Sequence, residues 1–168
     1  MLLAALVRPL VSGILLAGVG GHGTSPRHAA PDACALLTLA DLTAAVGQPV
    51  LGGNPSQTGD GGGQCMYGYG NLSQIGVELF QFPSPAAAQK KFADELKDSQ
   101  DADQGSHKTT VETGVGDGAF SAASDMGTMK VVTWSAVRGS RVFHLVTMGQ
   151  VPLLPGRMRG LMLKAVSR

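Results

Sequence analysis

The chain has 168 residues, 43% of them hydrophobic, which is the size of one domain with enough apolar material for a core. Only 15% of the residues are charged and 5% aromatic, so net charge does not drive disorder. Of the 13 basic residues Arg8 and Arg27 precede Pro31, leaving 11 against 12 acidic ones in the remainder, a balance that excludes a basic nucleic-acid-binding domain.

Residues 1–30 read as a signal peptide and leader. A lone Arg8 precedes an apolar stretch from Leu10 to Val19, and glycines and a Pro-containing polar segment follow. The stretch covers ten residues, against the roughly 20 that span a bilayer as a helix. Export to the periplasm or the extracellular space is therefore expected, with an uncleaved N-terminal membrane anchor as the alternative. Leu16, Ala17 and Gly18 look like the start of a lipobox, but Val19 stands where the lipid-bearing cysteine is required. The domain proper is residues 31–168.

Cys34 and Cys65 are the two cysteines, and an even count in an exported chain favours pairing. A Cys34–Cys65 disulfide is the simplest reading, since neither a C-x-x-C spacing nor a Cys/His pair at ligand spacing supports a redox or metal site. Thr38 with Asp41 forms a capped helix start, the apolar residues Leu39, Leu42 and Val46 follow, and Gly47 and Pro49 end the pattern. The glycine-rich segment 52–63 reads as a loop. Residues 64–69 and 74–82 read as strands of a hairpin around Gly70 and Asn71.

Ser84 and Pro85 open a second helix to about Asp98, with Ala88, Phe92 and Leu96 on one face. Lys90, Lys91, Asp94, Glu95 and Lys97 are expected on its solvated side. Residues 99–107 read as a polar loop, then 108–113 and 119–122 as strands around a glycine turn. Residues 130–137 and 142–148 read as a β-branched hairpin around Arg138, Gly139, Ser140 and Arg141. A third helix runs from Leu153 or Pro155 to Val166, with Met158, Leu161, Met162 and Ala165 on its apolar face. This order predicts an α+β fold, an antiparallel sheet of about five to six strands with about three helices packed on one face.

The segments Asp32-Ala-Cys34-Ala-Leu-Leu-Thr38-Leu-Ala-Asp41, Val46-Gly47, Cys65-Met-Tyr67 and Gly114-Val-Gly116-Asp117-Gly-Ala119 resemble the small secreted or lipoprotein-type domains of unknown function of bacterial envelopes. The resemblance spans most of residues 32–148. It implies a compact α+β domain with the same cysteine pairing and carries over no activity; the lipoprotein members differ by their lipobox cysteine.

Candidate chemistry is sparse. Gly114 to Ala119 fits G-x-G-x-x-G/A, but no long helix follows, so a tight turn between strands is expected and no cofactor. His22 and His28 fall in the leader, which leaves His107 in a polar loop and His144 in a strand. Alternation sets His144 opposite Phe143 and Leu145, solvated or at a sheet–helix edge. No G-x-S-x-G elbow or calcium-binding loop occurs.

The expected function is an exported, non-catalytic module that binds an envelope protein or a small apolar ligand through the sheet face or the cleft against the helices. An uncovered Trp134 with neighbouring Val and Phe side chains would mark such a patch. The alternative is a small hydrolase-like enzyme, which needs Asp117 and His144 within roughly 2.6 to 3.2 Å of each other. A third reading is a membrane-surface protein, in which the basic C-terminal helix makes weak contact with anionic lipid.

Overall fold

A computed structural model describes residues 30–70, 72–150 and 153–168. Apart from Ala30, the expected leader lies outside the described residues, as does Asn71 of the expected turn. A 3-10 turn at Ala33–Ala35 precedes α1 (Leu39–Val46), β1 (Val50–Gln57), β2 (Gly63–Tyr69), β3 (Ser73–Gln81) and α2 (Pro85–Asp101). The chain continues through β4 (His107–Glu112), β5 (Gly118–Asp125), β6 (Lys130–Arg138), β7 (Arg141–Gly149) and α3 (Pro155–Val166). The seven strands form one sheet in the order β1-β2-β3-β7-β6-β5-β4, and every pairing is antiparallel.

The α+β class and the antiparallel sheet are as expected, but the strand count is not. Strand β1 lies largely inside the stretch expected to be a loop. Its sequence, VLGGNPSQ, has no alternation, and seven of its eight residues are exposed. It is an edge strand, bonded to β2 alone, where a proline costs no ladder bond on the open side. The register shifts between Leu51 and Asn54, a bulge of the kind that blunts sheet edges. Gly53 also leaves space for the disulfide, because a Cβ there would sit 2.8 Å from the Cys65 sulfur.

The helices do not share one face, which corrects the second expectation. Leu42 of α1 and Met158, Leu161 and Met162 of α3 pack with Trp134, Ala136, Phe143, Leu145, Ile75 and Val77 on one side. Ala88 and Phe92 of α2 pack with Phe80, Phe120, Val137 and Val142 on the other. The reason lies in the central strands, where Ala136 precedes Val137 and Val142 precedes Phe143, so neighbouring residues on opposite faces are all apolar. Such a sheet is stable only when covered on both sides.

The covering elements are fixed at their ends. The Thr38 hydroxyl accepts from the Asp41 backbone N–H at 3.1 Å, while Asp41 Oδ2 accepts from the Thr38 backbone N–H at 3.1 Å. Asp41 also receives Lys164 Nζ at 2.6 Å and Arg168 Nη2 at 3.2 Å, tying α1 to the end of α3. The Lys164 hydrogen bond, aided by those from Thr38, holds the Asp41 carboxyl well below the usual carboxylate range.

Cys34 and Cys65 form the expected disulfide, which pins the 3-10 turn to β2. Gly63 lets the two come close, since a Cβ at that position would lie 1.7 Å from the Pro31 carbonyl oxygen. The bridge closes a separation of 31 residues, and replacing both cysteines by serine is expected to cost about 2 to 5 kcal/mol. Urea unfolding of the double variant measures this; a loss well under 1 kcal/mol would mean that the sheet orders β1 and β2 without the bridge.

Candidate functional site

A largely enclosed group of interacting charges lies between the sheet and α2. His144 projects from β7 on the face opposite Phe143 and Leu145, as the alternation predicts, but α2 and β3 enclose it rather than solvent. Its Nδ1 lies 3.1 Å from Glu78 Oε2 of β3, and its Nε2 lies 2.9 Å from Glu95 Oε2 of α2. The side chains of His144, Glu78 and Glu95 are 16%, 19% and 18% exposed, too little for water to screen the charges fully.

A neutral imidazole has one N–H and would turn a lone pair toward one of the carboxylates, so this geometry calls for the imidazolium. Burial alone would push the His144 pKa down. The hydrogen bonds to Glu78 and Glu95, with their Coulombic attraction, outweigh burial and raise it to about 9. The His144 hydrogen bond holds Glu78 below its ordinary value. For Glu95, burial pulls upward, but His144 and Lys91 prevail and lower it.

Secondary partners complete the group. Gln64 Nε2 donates to Glu78 Oε1 at 2.7 Å, and Ser135 Oγ donates to Glu95 Oε2 at 3.3 Å. Lys91 Nζ lies 3.2 Å from Glu95 Oε1, and the Phe80 ring centroid is 5.1 Å from that of His144. Two carboxylates therefore face two cations, which leaves the cluster neutral.

Glu78 divides a groove along β3. On one side a cavity of about 120 Å³ is lined by Met66, Gly76, Val146 and Met148 together with Glu78. On the other a cavity of about 280 Å³ is lined by Asp60, Gly62, Phe80, Phe82 and Lys91. Strand β3 forms the floor through alternate residues, and α2, packed on β6 and β7, forms one wall. The hairpin linking β1 and β2 forms the other. Among the described residues, no group of three or more His, Cys, Asp and Glu side chains is placed to hold a metal.

The other sequence candidates lie apart from this group. Asp117 Oδ2 accepts from the Gly139 backbone N–H at 2.7 Å, which ties the glycine turn to the β6–β7 hairpin. Both ring nitrogens of His144 are engaged by the glutamates, so Asp117 and His144 do not form the pair the hydrolase reading needs. Gly116 has φ +58°, and a Cβ there would lie 2.4 Å from the Val137 carbonyl oxygen. That glycine serves a close turn between strands, as expected.

Trp134 is 1% exposed and packs under α1 and α3, so the condition for an uncovered patch around it is not met. Glu95 is a further correction, because it turns to the sheet instead of joining the solvated side of α2. His107 begins β4 rather than lying in a loop, with Nδ1 2.7 Å from Ser124 Oγ. In α3 Met158, Leu161, Met162, Ala165 and Val166 face the core while Leu163 is exposed, Arg157 Nη1 donates to the Ala45 carbonyl at 2.8 Å and Arg159 Nη2 to the Thr113 carbonyl at 3.0 Å.

Glu78 and Asp60 were not singled out in the sequence, and Glu95 and Lys91 were named only as part of the solvated side of the second helix. The available signal was Glu95 three residues after Phe92, on the edge of the apolar stripe, and Glu78 inside a strand that is apolar on both faces.

No protein-family model matches the chain, and no curated protein matches it. Among solved structures, the extracellular domain of PknH from Mycobacterium tuberculosis is similar in fold. The likeness has a TM-score of 0.54 at 12% identity and covers 79% of this chain and 92% of that one. Among the described residues, no helix is long and apolar enough to cross a membrane.

The ion cluster makes stability depend on pH in a defined direction. The His144 pKa is raised from 6.5 to about 9, so its contribution is full below 6.5 and is lost as pH rises through about 9. The glutamates, lowered from 4.5, contribute above that value and lose their effect as pH falls below it. Urea unfolding at about pH 6 and about pH 10 is expected to show a larger loss in the parent than in His144→Gln. Equal losses in the two proteins would mean that His144 is not charged in the fold. At about pH 6 the variant itself is expected to be less stable by about 3 kcal/mol, because two enclosed carboxylates lose their shared cation.

Proposed function

We propose that this chain is an exported, non-catalytic binding domain that seats a small, largely apolar ligand in the groove along β3. The observation that carries the reading is the groove itself, two cavities on either side of Glu78 where α2 leaves β2 and β3 open. Apolar surface there, with a few fixed polar groups, is the usual make-up of a small-ligand site. The enclosed ion cluster holds the α2 wall at a set position, as a preformed site requires.

Export is supported by the leader pattern and by the disulfide, a bond favoured in oxidising compartments. The similar fold of an extracellular domain and the resemblance to secreted envelope domains point the same way.

Two measurements test the reading. The intact mass of the chain recovered outside the cytoplasm is expected to begin between residues 19 and 32, with alkylation of Cys34 and Cys65 only after reduction. A full-length chain with two free thiols would overturn export. A fragment library screened by amide chemical shifts is expected to give binders that perturb Met66, Gly76 and Phe82, without turnover of chromogenic esters. Turnover that is lost in His144→Gln would replace the binding reading with the enzymatic one.

A further inference from the structure

From the larger cavity we infer that the ligand is a small zwitterion of the amino-acid type, its ammonium toward Asp60, its carboxylate toward Lys91 and its apolar part over Phe80 and Phe82. This rests on the binding reading above and names the ligand class for that groove.

Asp60 stands on a loop whose shape is fixed by its own hydrogen bonds. Thr58 N donates to the Gly62 carbonyl at 2.9 Å, Gly61 N to the Thr58 carbonyl at 3.0 Å, and Gly62 N to Thr58 Oγ1 at 2.8 Å. The Thr58 hydroxyl in turn donates to Asp60 Oδ1 at 2.6 Å. Among the described residues Asp60 Oδ2 has no hydrogen-bond partner, so one carboxylate oxygen is oriented by the loop and the other is open.

The loop also rests on the floor. A Cβ on Gly62 would lie 2.4 Å from Phe80 Cε1, so the glycine backbone lies directly against that ring. The remaining floor is equally fixed. Phe82 N donates to the Ser140 carbonyl at 2.8 Å, and Gln81 Nε2 donates to Ser140 Oγ at 2.8 Å and to the Phe82 carbonyl at 3.1 Å.

On the other wall Lys91 is held through Glu95 Oε1 at 3.2 Å, and its side chain is 40% exposed. An ammonium has three donors, and this ion pair uses one. An anionic oxygen on one wall and a cation on the other therefore line a cavity floored by two phenylalanines.

Thr58 meets one oxygen of Asp60 and Glu95 meets one donor of Lys91, so a purely apolar ligand would leave the other Asp60 oxygen and the remaining Lys91 donors unmet, and a cation or an anion alone would meet only one of the two groups. A zwitterion satisfies both, and specificity follows because each charge rejects ligands that lack its complement. The volume of about 280 Å³ lies just below the range of about 300 to 1,000 Å³ usual for drug-sized ligands, which favours a body the size of a single amino acid.

The test is calorimetric titration of the full domain with L-leucine and L-phenylalanine, followed by amide shifts. Binding is expected, with shifts at Gly62, Gln81 and Phe82. Isoamylamine and 4-methylpentanoate, which each keep one of the two charges of leucine, are expected to bind at least about tenfold more weakly. Asp60→Asn lies on an exposed loop and is expected to keep the parent's unfolding curve while weakening leucine binding by a similar factor.

Lys91→Met tests the other wall, read by whether the preference for leucine over isoamylamine disappears. No binding of either amino acid up to about 10 mM, a generous limit for so few atoms, would overturn the inference, as would binding that Asp60→Asn leaves unchanged or shifts confined to another surface. Library fragments that still seat in the groove would then leave the binding reading standing; a groove that takes nothing would remove both.

Discussion

The fold depends on three central strands that are apolar on both faces. β3, β7 and β6 place Val77, Leu145 and Trp134 on one side and Phe80, Val142 and Val137 on the other. Apolar positions on both faces need cover on both sides, so the chain must supply two covers. The last helix joins the first over one face, clamped by Asp41, while α2 alone covers the other. One helix is narrower than seven strands, so α2 covers the second face mainly over β6, β7 and β4 and reaches only the Phe80 end of β3. The open groove along β3 follows from that shortage of cover.

The Glu78–His144–Glu95 cluster lies at the margin of the covered area. In energetic terms an enclosed ion cluster is a poor source of stability, because desolvation offsets much of the attraction. It is a better source of position. Apolar contacts between Phe92 and Phe120, with ring centroids 5.5 Å apart, would tolerate sliding of α2 along the sheet. A carboxylate that must meet a particular ring nitrogen would not. Glu95 thus fixes the register of α2, Glu78 fixes β3 from the opposite side, and Gln64 extends the constraint to β2. The same residues that close the covered region shape the edge of the groove.

Sequence reasoning reached the features encoded over short distances. The Thr38–Asp41 cap, the stripe of Ala88, Phe92 and Leu96, and the hairpin at Gly139 and Ser140 are local signals, and the structure has them. The cysteine pair followed from its number and setting. Strand β1 was missed because an edge strand of glycine, proline and exposed side chains lacks the alternation that marks a half-buried one. The second cover was missed because consecutive apolar pairs such as Val142–Phe143 read as one rich strand and do not say which helix lies on which face. The ion cluster was out of reach in a different way. His144 lies 66 residues from Glu78 and 49 from Glu95, and only the pairing of β3 with β7 and the crossing of α2 bring the three together. The cover over Trp134 was not legible either, since a large aromatic in a β-branched strand suits an exposed patch and a core equally until the covers are placed.

The groove persists through the residues that do not fill it. Glu78 is opposite Gln64 and His144 in the register of β2, β3 and β7, and the next rung toward the open end sets Gly76 between Met66 and Val146. A β-branched residue at Gly76 would close the smaller cavity, for even a Cβ there meets the Met66 sulfur at 3.0 Å. Methionine is the neighbour best able to move aside. At the other end Gly62 has the same effect against Phe80, where the facing ring cannot yield. One end of the groove is therefore adaptable and apolar, and the other is rigid and flanked by charge. Recognition that needs a defined geometry belongs at the rigid end, while variation in the apolar part of a ligand is more easily absorbed toward the methionines.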